Sequence, residues 1–253
     1  MANTIHPTAI LEGEITLGDG NVIGPYAVLQ GHITMGDNNI IDAHAVITNG
    51  VVMGNGNRMY PFVSIGALGE MGRKGDRLSD NGRVIIGHGN TFREMTTIHA
   101  PVHSQETRIG DRVYIMNKGY VAHDNVIGDG CVLSAAVKLG GQVVLEEEVT
   151  IGLGAAVHQR IRVGAFAMIG MLTPITTDIL PYTTVAGNPA RIIGFNRAGA
   201  KRKGIDTSWM DEMEAYLKFD VSMIEVSENP IMTELQAFLR QQPQSLVQVR
   251  SNP

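Results

Sequence analysis

Residues 121 to 157 read "VAHDNVIGDGCVLSAAVKLGGQVVLEEEVTIGLGAAV". Every sixth residue is aliphatic: Val121, Ile127, Leu133, Leu139, Leu145, Ile151 and Val157. The position four places after each tends to be small or β-branched, as at Val137 and Ala155. A strict period of six fits neither the 3.6 of a helix nor the simple alternation of a strand, and it marks hexapeptide repeats.

The period extends in both directions. It runs from Ile5 to Ile65, resumes at Ile86, Phe92 and Ile98, and continues from Ile109 to Ile175, with 26 apolar residues at 26 positions. A second period of 18 is superimposed. The strings "GDGN", "GDNN" and "GNGN" begin at Gly18, Gly36 and Gly54 and align Asn21, Asn39 and Asn57. Three hexads therefore make one coil, each hexad a short strand, and coils stack at the ~4.8 Å spacing of paired strands. The expected fold is an all-β parallel β-helix of about nine triangular coils, with Gly and Asn at corners that need positive φ.

Let face A hold the hexads that precede Gly18, Gly36, Gly54, Gly87, Gly110 and Gly128. Faces B and C follow in chain order. Val121 then lies on face C with Ile65, Ile98, Leu139 and Val157. Both breaks in the period leave from the end of face C, near 67–83 and 99–108, so two loops overhang one edge. His123, Gly141 and Gln159 are spaced by 18 and stack on that edge, with His99 and His158 one residue away in register. Loops that interrupt a solenoid on one side mark its working surface.

After Pro181 the pattern fails. The prism is expected to occupy 1–195 and a C-terminal α-helical domain 196–253, with Trp209, Met213 and Leu217 on one helix capped by Thr207 or Ser208. A second helix would have Asn229 as N-cap, Pro230 at N1 and Ile231, Leu235, Phe238 and Leu239 on its inner stripe. The tail beyond Gln241 is expected to be loose.

Composition narrows the function. The chain has 253 residues, 18% of them charged, with a formal charge of -5, which gives no general attraction to nucleic acid. One cysteine, Cys131, excludes an internal disulfide framework and fits a reducing, cytoplasmic setting. No stretch approaches the ~20 apolar residues of a membrane span, so stable insertion is not expected.

The phrases "REMTTIH", "VAHDNVIGDGC", "GAAVHQ", "AGNPARIIGFN" and "GAKRKG" resemble, in order and spacing, the acyl-ACP–UDP-N-acetylglucosamine O-acyltransferases that begin lipid A synthesis. The resemblance implies a left-handed β-helix, a homotrimer and a Gram-negative cytoplasm. It implies acyl carrier protein as donor, a UDP-sugar as acceptor, no cofactor and no metal. By the same resemblance His123 is the general base, Asp124 orients it, and the Gly141 amide receives the oxyanion. His99, Gln142, His158 and Gln159 would line the cleft, Asn196, Arg202 and Lys203 the nucleotide, and Met171 the acyl groove, where it favours a medium-chain, 3-hydroxylated donor. Departures fall at Tyr120 and Gln142, where many relatives have histidine, at Ala198, and in the first loop, where Glu70 and Lys74 stand in for the usual contacts.

Plainer readings compete. A corner histidine is usually a solvated residue, Asp favours corners, and "KRK" is commonly a solvated charge run. Other functions on this scaffold are an acetyl- or acyltransferase acting on a different, for example amino, nucleotide sugar, a γ-type carbonic anhydrase, and a structural solenoid without activity. A zinc enzyme of that type needs three convergent histidines, and "HAPVH" places His99 and His103 within one irregular loop.

Overall fold

The computed structural model describes residues 1–71, 75–76, 78–219, 229–241 and 246–247. From Ile23 onward every one of the six-spaced residues is buried, and the partners four places on, such as Ala27, Ala45 and Val137, are fully enclosed. Only the first coil leaves this set open, with Ile5 and Leu11 exposed.

The strands are short because each coil must turn every six residues. Most contain two residues, as at Val126–Ile127 and Lys138–Leu139. Face B is one sheet of 11 strands in which all but the last are parallel, so the prism has about ten coils rather than nine. The extra coil is closed by Thr183–Ala186, which pairs in parallel with Met168–Ile169 and antiparallel with Arg191–Phe195. Faces A and C join into a second sheet, because Ile10–Leu17, Val28–Met35 and Val46–Met53 run through their shared corner without a break.

The corners differ from the sequence expectation in one respect. The aligned asparagines are not the positive-φ residues; those are their predecessors Gly20, Asn38 and Gly56. Asn21, Asn39 and Asn57 instead turn inward and form a ladder. Asn39 Nδ2 donates to Asn21 Oδ1 at 3.0 Å and to the carbonyls of Gly36 and Gly54, and Asn57 repeats the pattern against Asn39. Breaking one rung would strand buried polar groups at ~1–3 kcal/mol each. Positive φ is not confined to Gly and Asn either: Tyr26, His44, Phe62 and Leu172 adopt it at the B–C corner. Continuous strand stacking imposes the turn on whatever residue stands there.

Among the described residues three helices follow the prism: α1 (Arg197–Lys203), α2 (Thr207–Phe219) and α3 (Pro230–Arg240). Asn229 caps α3 by accepting from the Ile231 amide, with Pro230 in the first turn, as the sequence indicates. The start of α2 is different. Asp206 accepts from both the amide and the hydroxyl of Ser208, so Asp206 does the work expected of Thr207 or Ser208. Beyond Gln241, Leu246 bridges to Asp178 and Val247 is buried, which corrects the expected loose tail at those two residues.

Candidate active site

Both loops leave from the corner between faces C and A, as their positions in the period require. The first follows Ser64–Ala67 and returns at Arg83–Ile86; the second follows Thr97–His99 and returns at Glu106–Ile109. One coil later the corner Ala122–Asn125 carries His123 and Asp124. Asn125 locks this corner, donating to the carbonyls of Ala122 (2.7 Å) and Gly140 (3.0 Å) and accepting from the Val143 amide.

Asp124 is the most heavily engaged group in the region. Its φ is 62°, and its amide donates to the Thr107 hydroxyl at 2.8 Å. Its Oδ1 accepts from the amides of Val102, His103 and Ser104 and, at 2.6 Å, from the Ser104 hydroxyl. The second loop is therefore wrapped around one carboxylate. Burial alone would push the Asp124 pKa up and is the largest single influence. The hydrogen bonds from Ser104, His123 and His103 together outweigh it and hold the carboxyl below its ordinary range.

The other oxygen, Oδ2, lies 2.7 Å from Nδ1 of His123. A carboxylate only accepts, so Nδ1 carries the proton and Nε2 presents a lone pair. His123 is enclosed on several sides. A Cβ added to Gly69 of the first loop would stand 3.0 Å from the His123 Cβ, and one added to Gly141 would stand 2.5 Å from Cε1 and 2.8 Å from Nε2. Glycine at 141 is thus required by the histidine itself. Among the described residues the Gly141 amide has no backbone partner.

Beside this pair, the Tyr120 hydroxyl donates to Glu70 Oε2 at 3.0 Å, fastening the first loop across the site. Burial, with help from Glu70, pushes the Tyr120 phenol up to about 12. His99 packs edge-on against Tyr120 and is buried, with no partner for its Nδ1 among the described residues. Burial first of all lowers its pKa, Glu70 and Asp76 opposing and nearby His123 adding to the effect.

The structure thus gathers His99, Tyr120, His123, Asp124, Gly141 and Glu70. Gln142 and the exposed His158 and Gln159 follow on the same edge, Gln142 accepting from Arg160 Nε at 3.0 Å. Lys74 lies outside the described residues. The remaining expected residues stand elsewhere. Asn196 caps α1 and donates to the Phe166 carbonyl. Lys203 pairs with Glu147 at 2.6 Å and Arg202 with Glu148 at 3.8 Å, on the A–B corner. Met171 is 70% exposed on the B–C corner. Within one chain, base, basic pair and Met171 occupy three different edges.

Sequence reasoning missed His103, Ser104 and Thr107 as parts of the site. Their position in the second loop was the available signal, but nothing in the period says how an irregular loop folds.

A family profile described as Udp N-acetylglucosamine O-acyltransferase, Domain 2, matches residues 178–245. The acyl-(acyl-carrier-protein)–UDP-N-acetylglucosamine O-acyltransferase of Leptothrix cholodnii is 44% identical over 205 residues, which is 79% of this chain and 75% of that protein. The chain belongs to that acyltransferase family. The like-named protein of Nautilia profundicola is 38% identical over 53% of this chain and 53% of its own length, so the chain spans only about half of some curated relatives it matches. Among solved structures, LpxA from Acinetobacter baumannii superposes with a TM-score of 0.88 at 25% identity, covering 96% of this chain and 99% of that one. The UDP-N-acetylglucosamine acyltransferase from Campylobacter jejuni gives 0.88 at 26% identity, covering 98% and 100%. The fold is the left-handed β-helix of this acyltransferase family, with its C-terminal helices.

Proposed function

We propose that this acyltransferase moves a fatty acyl group from the thioester of acyl carrier protein to the 3-position of UDP-N-acetylglucosamine, with His123 as general base. The observation that carries the reading is the 2.7 Å bond between His123 Nδ1 and a carboxylate that four donor groups hold in place, directly over Gly141.

His123 Nε2 takes the proton of the sugar hydroxyl as its oxygen attacks the thioester carbonyl. Asp124 stabilises the imidazolium so formed. The Gly141 amide donates to the oxyanion of the tetrahedral intermediate. Collapse breaks the C–S bond, and the imidazolium returns its proton to the departing thiolate. No cofactor is needed. The donor is a medium-length, 3-hydroxylated chain, and the reaction belongs to early lipid A synthesis in the cytoplasm.

The assembly is a homotrimer. It would bring the A–B corner of one subunit, with Arg202 and Lys203, toward the C–A corner of the next, which no single chain can do. A diphosphate would then compete with Glu147 and Glu148 for these two cations.

A second acceptor is favoured by the Glu70–Tyr120 pair. A carboxylate held beside the base suits a sugar with a 3-amino group, whose ammonium form it would attract before deprotonation. Acyl transfer measured with a panel of acyl carrier protein donors against the 3-hydroxy and 3-amino UDP-sugars tests both readings. Transfer to neither sugar, by folded protein, would overturn the proposal.

A further inference from the structure

Two imidazoles and a carboxylate converge at the base. One ligand-capable atom from each of His103, His123 and Asp124 lies within 4.8 Å of the other two. The rings of His103 and His123 meet edge to face, with centroids 5.6 Å apart. This juxtaposition is not visible in the period, since His103 stands in the irregular loop and His123 on the regular coil. We propose that His103, His123 and Asp124 form a binding site for a borderline divalent cation such as Zn2+, occupation of which blocks the base.

Three features argue that this is a site and not only a neighbourhood. First, the donor set is two imidazoles and one carboxylate, a set that zinc takes with a fourth position left open. Second, the ligands are held by backbone. The His103 amide donates to both oxygens of Asp124 at 3.1 Å, so the second loop cannot carry His103 away without breaking the contacts that fix Asp124. Third, the two carboxylate oxygens have separate work. Oδ1 takes the amides of Val102 and Ser104 and the Ser104 hydroxyl, whereas Oδ2 serves His123 and shares the His103 amide. Oδ2 retains the capacity to meet a cation.

The exchange balances. The cation takes the place of the proton between His123 Nδ1 and Asp124 Oδ2, and that proton leaves to solvent. Ligand atoms around tetrahedral zinc stand roughly 3.3 Å apart, given bonds of about 2.0–2.1 Å. The 2.7 Å pair therefore opens slightly, while the exposed His103 ring rotates inward to complete the set. His123 then has a metal where it needs a proton, and the orientation of the imidazole toward the sugar is lost. The inhibitory consequence rests on the proposed function; the binding itself does not.

The test uses full-length, tag-free protein stripped with chelator, with Co2+ as a spectroscopic probe and Zn2+ as competitor. The expected result is one equivalent of Co2+ per chain with the visible absorption of a four- or five-coordinate nitrogen–oxygen site, displaced by Zn2+. His103→Ala, which changes an exposed side chain, should weaken binding at least ~10-fold, and the acyl transfer that the metal-free variant retains should be resistant to zinc. His103→Gln should behave the same way and guards against a loop effect of the alanine. Binding far below stoichiometric, or affinity unchanged in both variants, overturns the site. If cobalt binds through His103 but the wild-type protein transfers no acyl group, the site stands and the proposed function falls. If transfer depends on His123 but cobalt does not bind, only the site falls.

Discussion

The ring of His123 lies where the side chain of residue 141 would be. A methyl group on Gly141 would approach Cε1 to 2.5 Å and Nε2 to 2.8 Å, well inside contact distance. Gly141→Ala must therefore push the imidazole off its bond to Asp124. Because the backbone at 141 is not in the left-handed region, the substitution should fold normally. Acyl transfer is expected to fall by about 10²-fold, the scale of a misplaced general base. A folded Gly141→Ala protein of normal activity would remove His123 from the mechanism as drawn.

His123→Ala should abolish transfer, with a loss of about 10²–10⁴-fold or more, and leave the prism intact because the residue contributes nothing to the core. Asp124→Asn is expected to do more than misorient the ring. An amide can keep its oxygen toward residues 102–104 only by turning its nitrogen toward His123 and the His103 amide, so the ring loses its acceptor and the second loop loses one contact as well. Hydrogen exchange at those amides, measured beside activity, separates the two effects. Loss of activity with unchanged protection would confine Asp124 to the ring.

Asp124 also makes a prediction about acid. Its carboxyl is held below the ordinary range in the folded protein, so it contributes stability that is full above the unfolded value of about 3.9 and is lost as pH falls through the lower folded value. Ser104 supplies two of the bonds that lower it. Ser104→Ala should move the titration of Asp124 upward and bring acid loosening of the loop to a higher pH. Carbon NMR of the carboxyl group reads this directly, and an unmoved titration would show that Ser104 is dispensable to the charge.

Arg202→Ala should raise the apparent KM for the nucleotide sugar more than it lowers kcat, since a diphosphate contact remote from the carbonyl is mostly uniform binding. The wild-type Arg202–Glu148 pair is half-exposed and weak, so its loss should cost little stability. A defect seen only toward acyl carrier protein would make the "KRKG" segment a docking patch instead.

Met171, exposed in the single chain, is expected to meet the end of the acyl tail in the proposed trimer. Each buried CH₂ is worth about 0.8 kcal/mol, so Met171→Gly should shift preference toward donors longer than about ten carbons by up to about 15-fold per added pair of methylenes. Donors of ten and fourteen carbons competing in one reaction give the ratio. An unchanged ratio assigns Met171 to packing.

The sequence by itself determined the prism. A period of six drifts around a helix, and the turn strings recurring every 18 residues divide the chain into short strands that set the triangle, so the inward residues from Ile23 to Ile175 and the common edge of both loops were legible in the sequence. The stack of His123, Gly141 and Gln159 followed from the same arithmetic. What the tertiary structure decided lies where the period stops. The capture of Asp124 by the amides of residues 102–104, the approach of His103 to His123, and the Tyr120–Glu70 latch join segments 20 to 50 residues apart through irregular loops. The inward turn of Asn21, Asn39 and Asn57 escaped for a related reason. An asparagine in a glycine-rich string satisfies the turn at either of two positions, and only stacking against the next coil, which offers a carbonyl within 3.0 Å, selects the buried ladder.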